Sequence, residues 1–364
     1  MKFEYYLKEQ IKKHSSIGIC DVVKMCYQAS HGAEHMLSDP DRARSYLENE
    51  FLQLPASDGD LYERISDRVY RVNLSPWKAK GLPLEWLFRM FLASCKVEAD
   101  GDVRMSEYLD LAESCLPYTD IDGKAWAKYI HEYKAAGMPA VHHSEEYRVS
   151  EHPAYRIVDS RFIRTLPILE AAKDYACIDK PCVIAVDGRA ASGKTTLAES
   201  LKTVLSAEVV HTDDFFLPAD LRTEERLSEV GGNIHYERFL EEVIPYISKN
   251  EAFSYRVFDC GNMDFCGTRE IAKSRFRIVE GTYSRHPSFS NYADITVFCD
   301  VAPKEQTDRI LRRNGEAMLE RFRSTWIPME EEYFKHCSIE EKSDITLDQS
   351  DGTCFEYKSR DFSV

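Results

Sequence analysis

Three short groups of residues in this chain have the types and spacing to handle a phosphorylated ligand. The first is Gly188-Arg189-Ala190-Ala191-Ser192-Gly193-Lys194-Thr195-Thr196. Its glycines let the backbone curl until N–H groups point at anionic oxygens, where a Cβ would obstruct approach. Lys194 can bring an ammonium to the outer phosphates of a triphosphate, and the Thr195 hydroxyl can ligate Mg²⁺. The second group closes the run Glu208-Val-Val-His-Thr-Asp213-Asp214, and the third closes Arg275-Phe-Arg-Ile-Val-Glu280-Gly281. Each puts a carboxylate where a strand ends, able to take a hydroxyl proton or to hold a cation.

Those side chains meet only if the elements around them bring them together. The apolar run 182–186 enters the glycine turn, and Leu197, Leu201 and Leu205 then recur on one helical face, so the first group sits in the strand–loop–helix of a phosphate-binding P-loop. Beyond it, β-branched runs at 183–186, 208–211, 253–258, 276–279, 295–301 and 345–347 alternate with helical patterns, notably 237–249 and 304–313. Such alternation predicts an α/β domain, a parallel sheet with helices on both faces, whose C-terminal strand ends line one crevice. Asp213 and Glu280 would then face the P-loop.

Residues 1–150 read differently. Apolar spacing of three and four predicts helices over 11–27, 33–51, 84–95, 105–115 and 124–136, separated by proline- and glycine-containing breaks. The expected architecture is thus a mainly helical N-terminal domain, 1–150, followed by a P-loop domain, 151–364, in which 151–178 forms a connecting helix. His31 and His35 lie four apart with Glu34 between them, an incomplete metal set for which surface or packed histidines are the simpler reading. A dense polar and aromatic cluster covers His142, His143, Ser144, Tyr147, Arg148, His152, Tyr155 and Arg156, and Val72-Asn73-Leu74-Ser75-Pro76-Trp77-Lys78 is similarly rich. Either a wet domain interface or a second small-molecule site would use such residues.

Composition bounds the function. The chain has 364 residues, room for two cores, with a formal net charge of −15 that argues against a nucleic-acid surface. Eleven cysteines without a CxxC pair read as reduced thiols. No apolar run approaches a membrane span and the first residues lack a signal-peptide core, so a cytoplasmic location is the expectation.

The order GRAASGKTT (188–196), DDFF (213–216) and EG (280–281) resembles the uridine kinase and phosphoribulokinase family of P-loop kinases over about 180–348. Arg309-Ile-Leu-Arg312-Arg313 looks like that family's arginine-bearing helix. The resemblance implies phosphoryl transfer from ATP, with Mg²⁺, to a hydroxyl of a small molecule. By the same resemblance residues 188–196 hold the nucleotide, Asp213 is the general base, Thr195, Asp213 and Glu280 attend the metal, and Arg309, Arg312 and Arg313 act from a lid. The acceptor segments depart from the family: His235 stands where an aspartate is usual, and Tyr255-Arg256 lacks the expected histidine downstream. His235, Tyr236, Arg238, Tyr255 and Arg256 are the candidate acceptor groups, their arginines suited to an anionic or polyhydroxylated molecule. A nucleoside, a sugar, a sugar phosphate or a vitamin-like alcohol all remain open as acceptor. An ATP-binding regulatory module with the helical domain as effector is the non-enzymatic reading, and self-association through that domain is also open.

Overall fold

The computed structural model describes residues 2–33, 39–96, 99–350 and 356–359. The chain divides into two compact units, Met1–Ile163 and Arg164–Val364.

The first unit is helical, as its apolar periodicity predicts, but it also contains a sheet. Strands β1 (Tyr62–Arg64), β2 (Val69–Asn73) and β3 (Tyr155–Asp159) pair antiparallel in the order β1-β2-β3. The expected boundary near 150 is therefore corrected to 163. Strand β3 lies beyond 150 and is bonded along its length to β2, from Asn73↔Tyr155 to Val69↔Asp159. No single connecting helix spans 151–178; after β3 come short helices Ser160–Ile163 and Leu166–Ala172 and a 3-10 turn, Lys173–Cys177. The predicted helix over 11–27 is two helices, Lys2–Lys13 and Ile19–His31, broken before Gly18, which begins the second.

The second unit carries a six-stranded sheet, with β4 (Cys182–Gly188), β5 (Glu208–His211), β8 (Phe276–Glu280), β9 (Ile295–Asp300), β10 (Ile345–Asp348) and β11 (Glu356–Ser359). Its order is β11-β10-β9-β4-β8-β5, parallel throughout except for the antiparallel edge β11. Strands β4 and β8 are buried at every position, which is why they are mostly apolar, Asp187, Arg277 and Glu280 being their buried charged residues. The strand expected at 253–258 exists but lies outside this sheet. It is β6 (Phe253–Asp259), paired in a hairpin with β7 (Asp264–Ile271). The helix expected over 237–249 breaks into Tyr236–Glu242 and Ile244–Ile247, because Pro245 cannot continue the first helix but suits the opening turn of the second.

This order places the P-loop strand β4 between β8 and β9. The loops leaving β4, β5 and β8 consequently emerge at one edge, where an open α/β sheet forms its crevice. Gly188 closes β4 at φ +140°, and a Cβ there would collide with the Cys299 carbonyl of β9. Gly188→Ala should cost at least ~2 kcal/mol of stability, since it combines a forbidden φ with a backbone clash. Urea unfolding of wild type and variant checks this.

Candidate functional site

The loop 188–195 is held in shape by contacts that its own sequence does not announce. Ala191 (φ +57°) and Gly193 (φ +91°) adopt left-handed backbone, the kind of turn from which anion-binding amide nests are built. Lys194 opens the helix Lys194–Leu205, whose first-turn N–H groups, including those of Thr195 and Thr196, have no helical carbonyl ahead of them. The Lys194 ammonium donates to the carbonyls of Gly188 (2.7 Å) and Arg189 (2.9 Å), so it rests on the loop it would leave to meet a phosphate. The Ser192 hydroxyl oxygen is buried without a hydrogen-bond partner, an orphan at the loop's centre. Loop amides, a cation and an unsatisfied hydroxyl fit a bound polyphosphate.

The carboxylates stand at adjacent strand ends, Glu280 as the last residue of β8 and Asp213 in the 3-10 turn after β5. Glu280, 5 % exposed, lies beside the Thr195 hydroxyl, which donates to it at 3.3 Å, and beside His211 Nδ1 at 2.6 Å. Gly281 follows at φ +128°, where a Cβ would strike the Thr212 hydroxyl, so the ends of β8 and β5 are locked edge to edge. Asp213 is thereby set beside them. Enclosure by the surrounding protein and then the Glu280 charge push its carboxyl up, while Lys194 and His211 pull it down. Solvent still reaches the Asp213 side chain, so the enclosure is that of a crevice rather than of a core. Thr195, Asp213 and Glu280 together form an oxygen-rich set of the kind a hard divalent cation prefers.

The basic side chains behave less uniformly. The Arg189 side chain turns away from the loop to Glu331, Asp300 and Glu340, leaving only its main chain in the cradle. Arg309 is a brace rather than a free lid residue: it donates to the carbonyls of Ala191 (3.1 Å) and Gln349 (2.6 Å) and pairs with Glu305. Arg312 and Arg313 lie exposed on the last turn of the Pro303–Asn314 helix, bonded to Asp308 and Asn314. Of the three arginines expected to act from a lid, Arg309 braces the loop in this structure and Arg312 and Arg313 are solvated.

Among the candidate acceptor groups, His235 lines an open groove of about 480 Å³ with Leu217, Asp220, Thr223, Arg226 and Glu237. Tyr236 stacks on His286 and lies under the Arg226 guanidinium. Arg238 and Tyr255 are interior: Arg238 pairs with Glu242 and Tyr255 donates to Asp214 at 2.9 Å, which fixes the residue next to Asp213. Arg256 is exposed and bonded to Glu242. His31 stacks on Tyr27 and bonds Ser30 and Asp102, whereas Glu34 and His35 lie outside the described residues.

Sequence reasoning missed two groups at this site. His211 could have been found, because it is the last residue of the strand that leads into Asp213. Glu330 could not, being one of three consecutive glutamates. Its Oε2 accepts the Ala190 amide at 3.0 Å, from a helix, Ile327–Cys337, that also supplies Glu331 to Arg189 and Tyr333 to Asp187. Burial, only partly countered by Lys194, pushes the Glu330 carboxyl up to about 7.

No protein-family model matches the chain. Among solved structures, a provisionally assigned uridine kinase from Bacillus stearothermophilus is similar at 18% identity over 50% of this chain and 97% of that one, with a TM-score of 0.39. A provisionally assigned fructose transport system kinase from Silicibacter sp. TM1040 is similar at 20% identity over 48% of this chain and 94% of that one, with a TM-score of 0.41. Likenesses this remote leave the assignment to the topology and to the residues at the strand ends. No helix among the described residues is long and apolar enough to cross a membrane.

A phosphate bound in this loop would lie near the Glu330 carboxylate, which holds the Ala190 amide and feels the Lys194 charge. Because the Glu330 pKa is raised, its neutral form dominates below about pH 7 and its repulsive anion appears as pH rises through that value. Nucleotide affinity should therefore fall between pH 6 and 8, by at most about tenfold per unit. Glu330→Gln should flatten the curve. Calorimetric titration with a non-hydrolysable ATP analogue on both proteins checks this, since the nucleotide's own ionisation is common to the two.

Proposed function

We propose that this chain is a P-loop phosphotransferase that moves the γ-phosphate of ATP onto a hydroxyl of a small, uncharged, polyhydroxylated molecule. The observation that supports it most is the meeting of three strand ends: a phosphate cradle after β4, Asp213 after β5 and Glu280 at the end of β8. A module that only binds nucleotide has no need of a raised carboxyl open to solvent beside the cradle; a general base does.

In this reading the loop amides and Lys194 hold the triphosphate, and Lys194 exchanges loop carbonyls for phosphate oxygens. Mg²⁺, held by Thr195, Asp213 and Glu280, would offset charge on the transferring group. Asp213 takes the proton of the attacking hydroxyl, and its raised pKa adds proton affinity. His211 holds Glu280 in place by their 2.6 Å contact.

The nature of the acceptor follows from groove charge. Asp220, Glu225, Glu229 and Glu237 line it, and Arg226 is spent on Glu237, Tyr236 and two carbonyls. Arg238 and Arg256 share the one Glu242 carboxylate, and neither lines the groove. With four carboxylates along the groove and its lining arginine committed to Glu237, a nucleoside or free sugar is favoured over a sugar phosphate.

A coupled ADP-release screen of the full chain over nucleosides, sugars and sugar phosphates should find stimulation by an uncharged compound and none by its phosphate ester. Asp213→Asn should then lose roughly 10²- to 10⁴-fold in turnover while binding ATP normally. Full turnover in that variant would remove the base assignment.

A further inference from the structure

The Met1–Ile163 unit contains a buried polar cluster that no phosphotransfer role uses. One face of the helix Ile19–His31 presents Asp21, Lys24 and Gln28, spaced three and four apart, among buried Val22, Val23, Met25 and Cys26. Opposite it stand Arg71 on β2 and Tyr155 on β3, strands whose register places Asn73 across from Tyr155. Arg71 is 3 % exposed. Its Nε and Nη2 donate to Gln28 Oε1 at 3.2 and 2.9 Å, its Nη1 to Gln10 Oε1 at 3.1 Å, and its guanidinium lies 4.7 Å over the Tyr155 ring. Every partner is neutral.

Buried arginines elsewhere in the unit are treated differently. Arg156, 6 % exposed, has the Glu50 carboxylate at 2.8 Å. Leaving a guanidinium in low dielectric without a counter-ion costs several kcal/mol, and an apolar side chain of similar volume would be the more stable filling. Beside Arg71 there is a second cation in the same condition. Lys24 Nζ has one partner, the Val141 carbonyl at 3.1 Å. Burial and then the Arg71 charge bring its ammonium down to about 8.

The carboxylates near the cluster are already committed: Glu63 pairs with Lys13 and accepts from Gln10 at 3.5 Å, and Glu151 pairs with His14. Asp21 accepts from His143 Nδ1 (2.7 Å), the Ser144 amide (3.0 Å) and hydroxyl (2.7 Å), and the Gly18 amide (3.0 Å). As Asp21 is an acceptor, Nδ1 carries the His143 proton and Nε2 accepts the Tyr155 hydroxyl at 2.7 Å. Gln28 donates to that same hydroxyl at 3.1 Å. Arg71 and Lys24 thus face carboxylates that are already bonded to other groups, beside an imidazole able to take up a proton.

We infer that the N-terminal unit carries its own ligand site, at Arg71 and Lys24, for a small molecule bearing an oxyanion, a carboxylate or a phosphate group. The anion supplies the counter-charge that Arg71 and Lys24 lack. The Gln28 side chain and the Tyr155–His143–Asp21 chain form the wall that orients it. This site is independent of the phosphotransferase reading and stands whether or not the P-loop unit turns over ATP.

The test is NMR of the histidine side chains of the full chain, with His143 assigned through His143→Asn. It is run in a Lys194→Ala background so that phosphate at the P-loop does not contribute. Acetate and inorganic phosphate, titrated separately to about 50 mM, should shift the His143 resonances saturably and raise its titration midpoint; whichever anion acts at lower concentration identifies the group recognised. Lys24→Gln should weaken the effect, and Arg71→Lys, which keeps the charge but loses the fork, should weaken it by roughly 10- to 100-fold, as the loss of a charge-assisted hydrogen bond implies. Arg71→Met should abolish it; if that variant does not fold, the lysine variant carries the test. Unmoved His143 resonances with both anions, or equal shifts in wild type and Arg71→Lys, would overturn the inference.

Discussion

The site in the second unit depends on a buried carboxylate, Asp187, at the end of the central strand. One oxygen accepts the Gly188 amide at 2.8 Å; the other accepts the Arg285 amide at 3.1 Å and the Tyr333 hydroxyl at 2.8 Å. Those donors come from the P-loop, from the segment after β8 and from the helix Ile327–Cys337. A single side chain thus fixes where the loop begins relative to the strand end that carries Glu280 and to the helix that carries Glu330. Burial pushes the Asp187 carboxyl up, and the three donors are what keep it satisfied there. Removing one would leave a buried acceptor short of a partner, at about 1–3 kcal/mol.

The cradle is preorganised from a distance along the chain. Gln306 donates to the Ala190 carbonyl at 3.0 Å, Arg309 to the Ala191 carbonyl, and Glu330 accepts the Ala190 amide. The loop is consequently clasped on its outer side by elements more than a hundred residues downstream, which leaves its remaining amides for a ligand. Electrostatic stabilisation by fixed dipoles is effective only when they need not reorganise, and this clasp is what spares them that movement.

Much of this was legible in the sequence for a definite reason. The strands of the main sheet centre on short β-branched runs, so β4, β5, β8, β9 and β10 could be read almost to the residue, and the glycine spacing marked the loop between the first strand and its helix. Strand β7 could not be read, since its Asp264–Ile271 run is largely exposed and polar and gains its form from pairing with β6. Strand β3 was hidden for the opposite reason: its short apolar stretch merged with the helical spacing that follows. At the site, residue types were readable, because parallel strands bring His211, Glu280 and the turn that carries Asp213 to one edge of the sheet. The direction of each arginine was not, because it depends on which carboxylate lies nearby in space, as with Arg189 and Glu331 or Arg309 and Glu305. In the N-terminal unit the sequence singled out His143 and Tyr155, but Arg71 and Lys24 join them only through tertiary packing.

The central claim is that loop 188–195 grips a triphosphate next to Asp213. It is tested most directly by crystallising the full chain with a non-hydrolysable ATP analogue and Mg²⁺. The account predicts β- and γ-phosphate oxygens within hydrogen-bond distance of the loop amides and of Lys194 Nζ, with the Asp213 carboxylate facing the γ-phosphate. An analogue bound elsewhere, or a loop that leaves Lys194 on the Gly188 and Arg189 carbonyls with Asp213 turned to solvent, would contradict it.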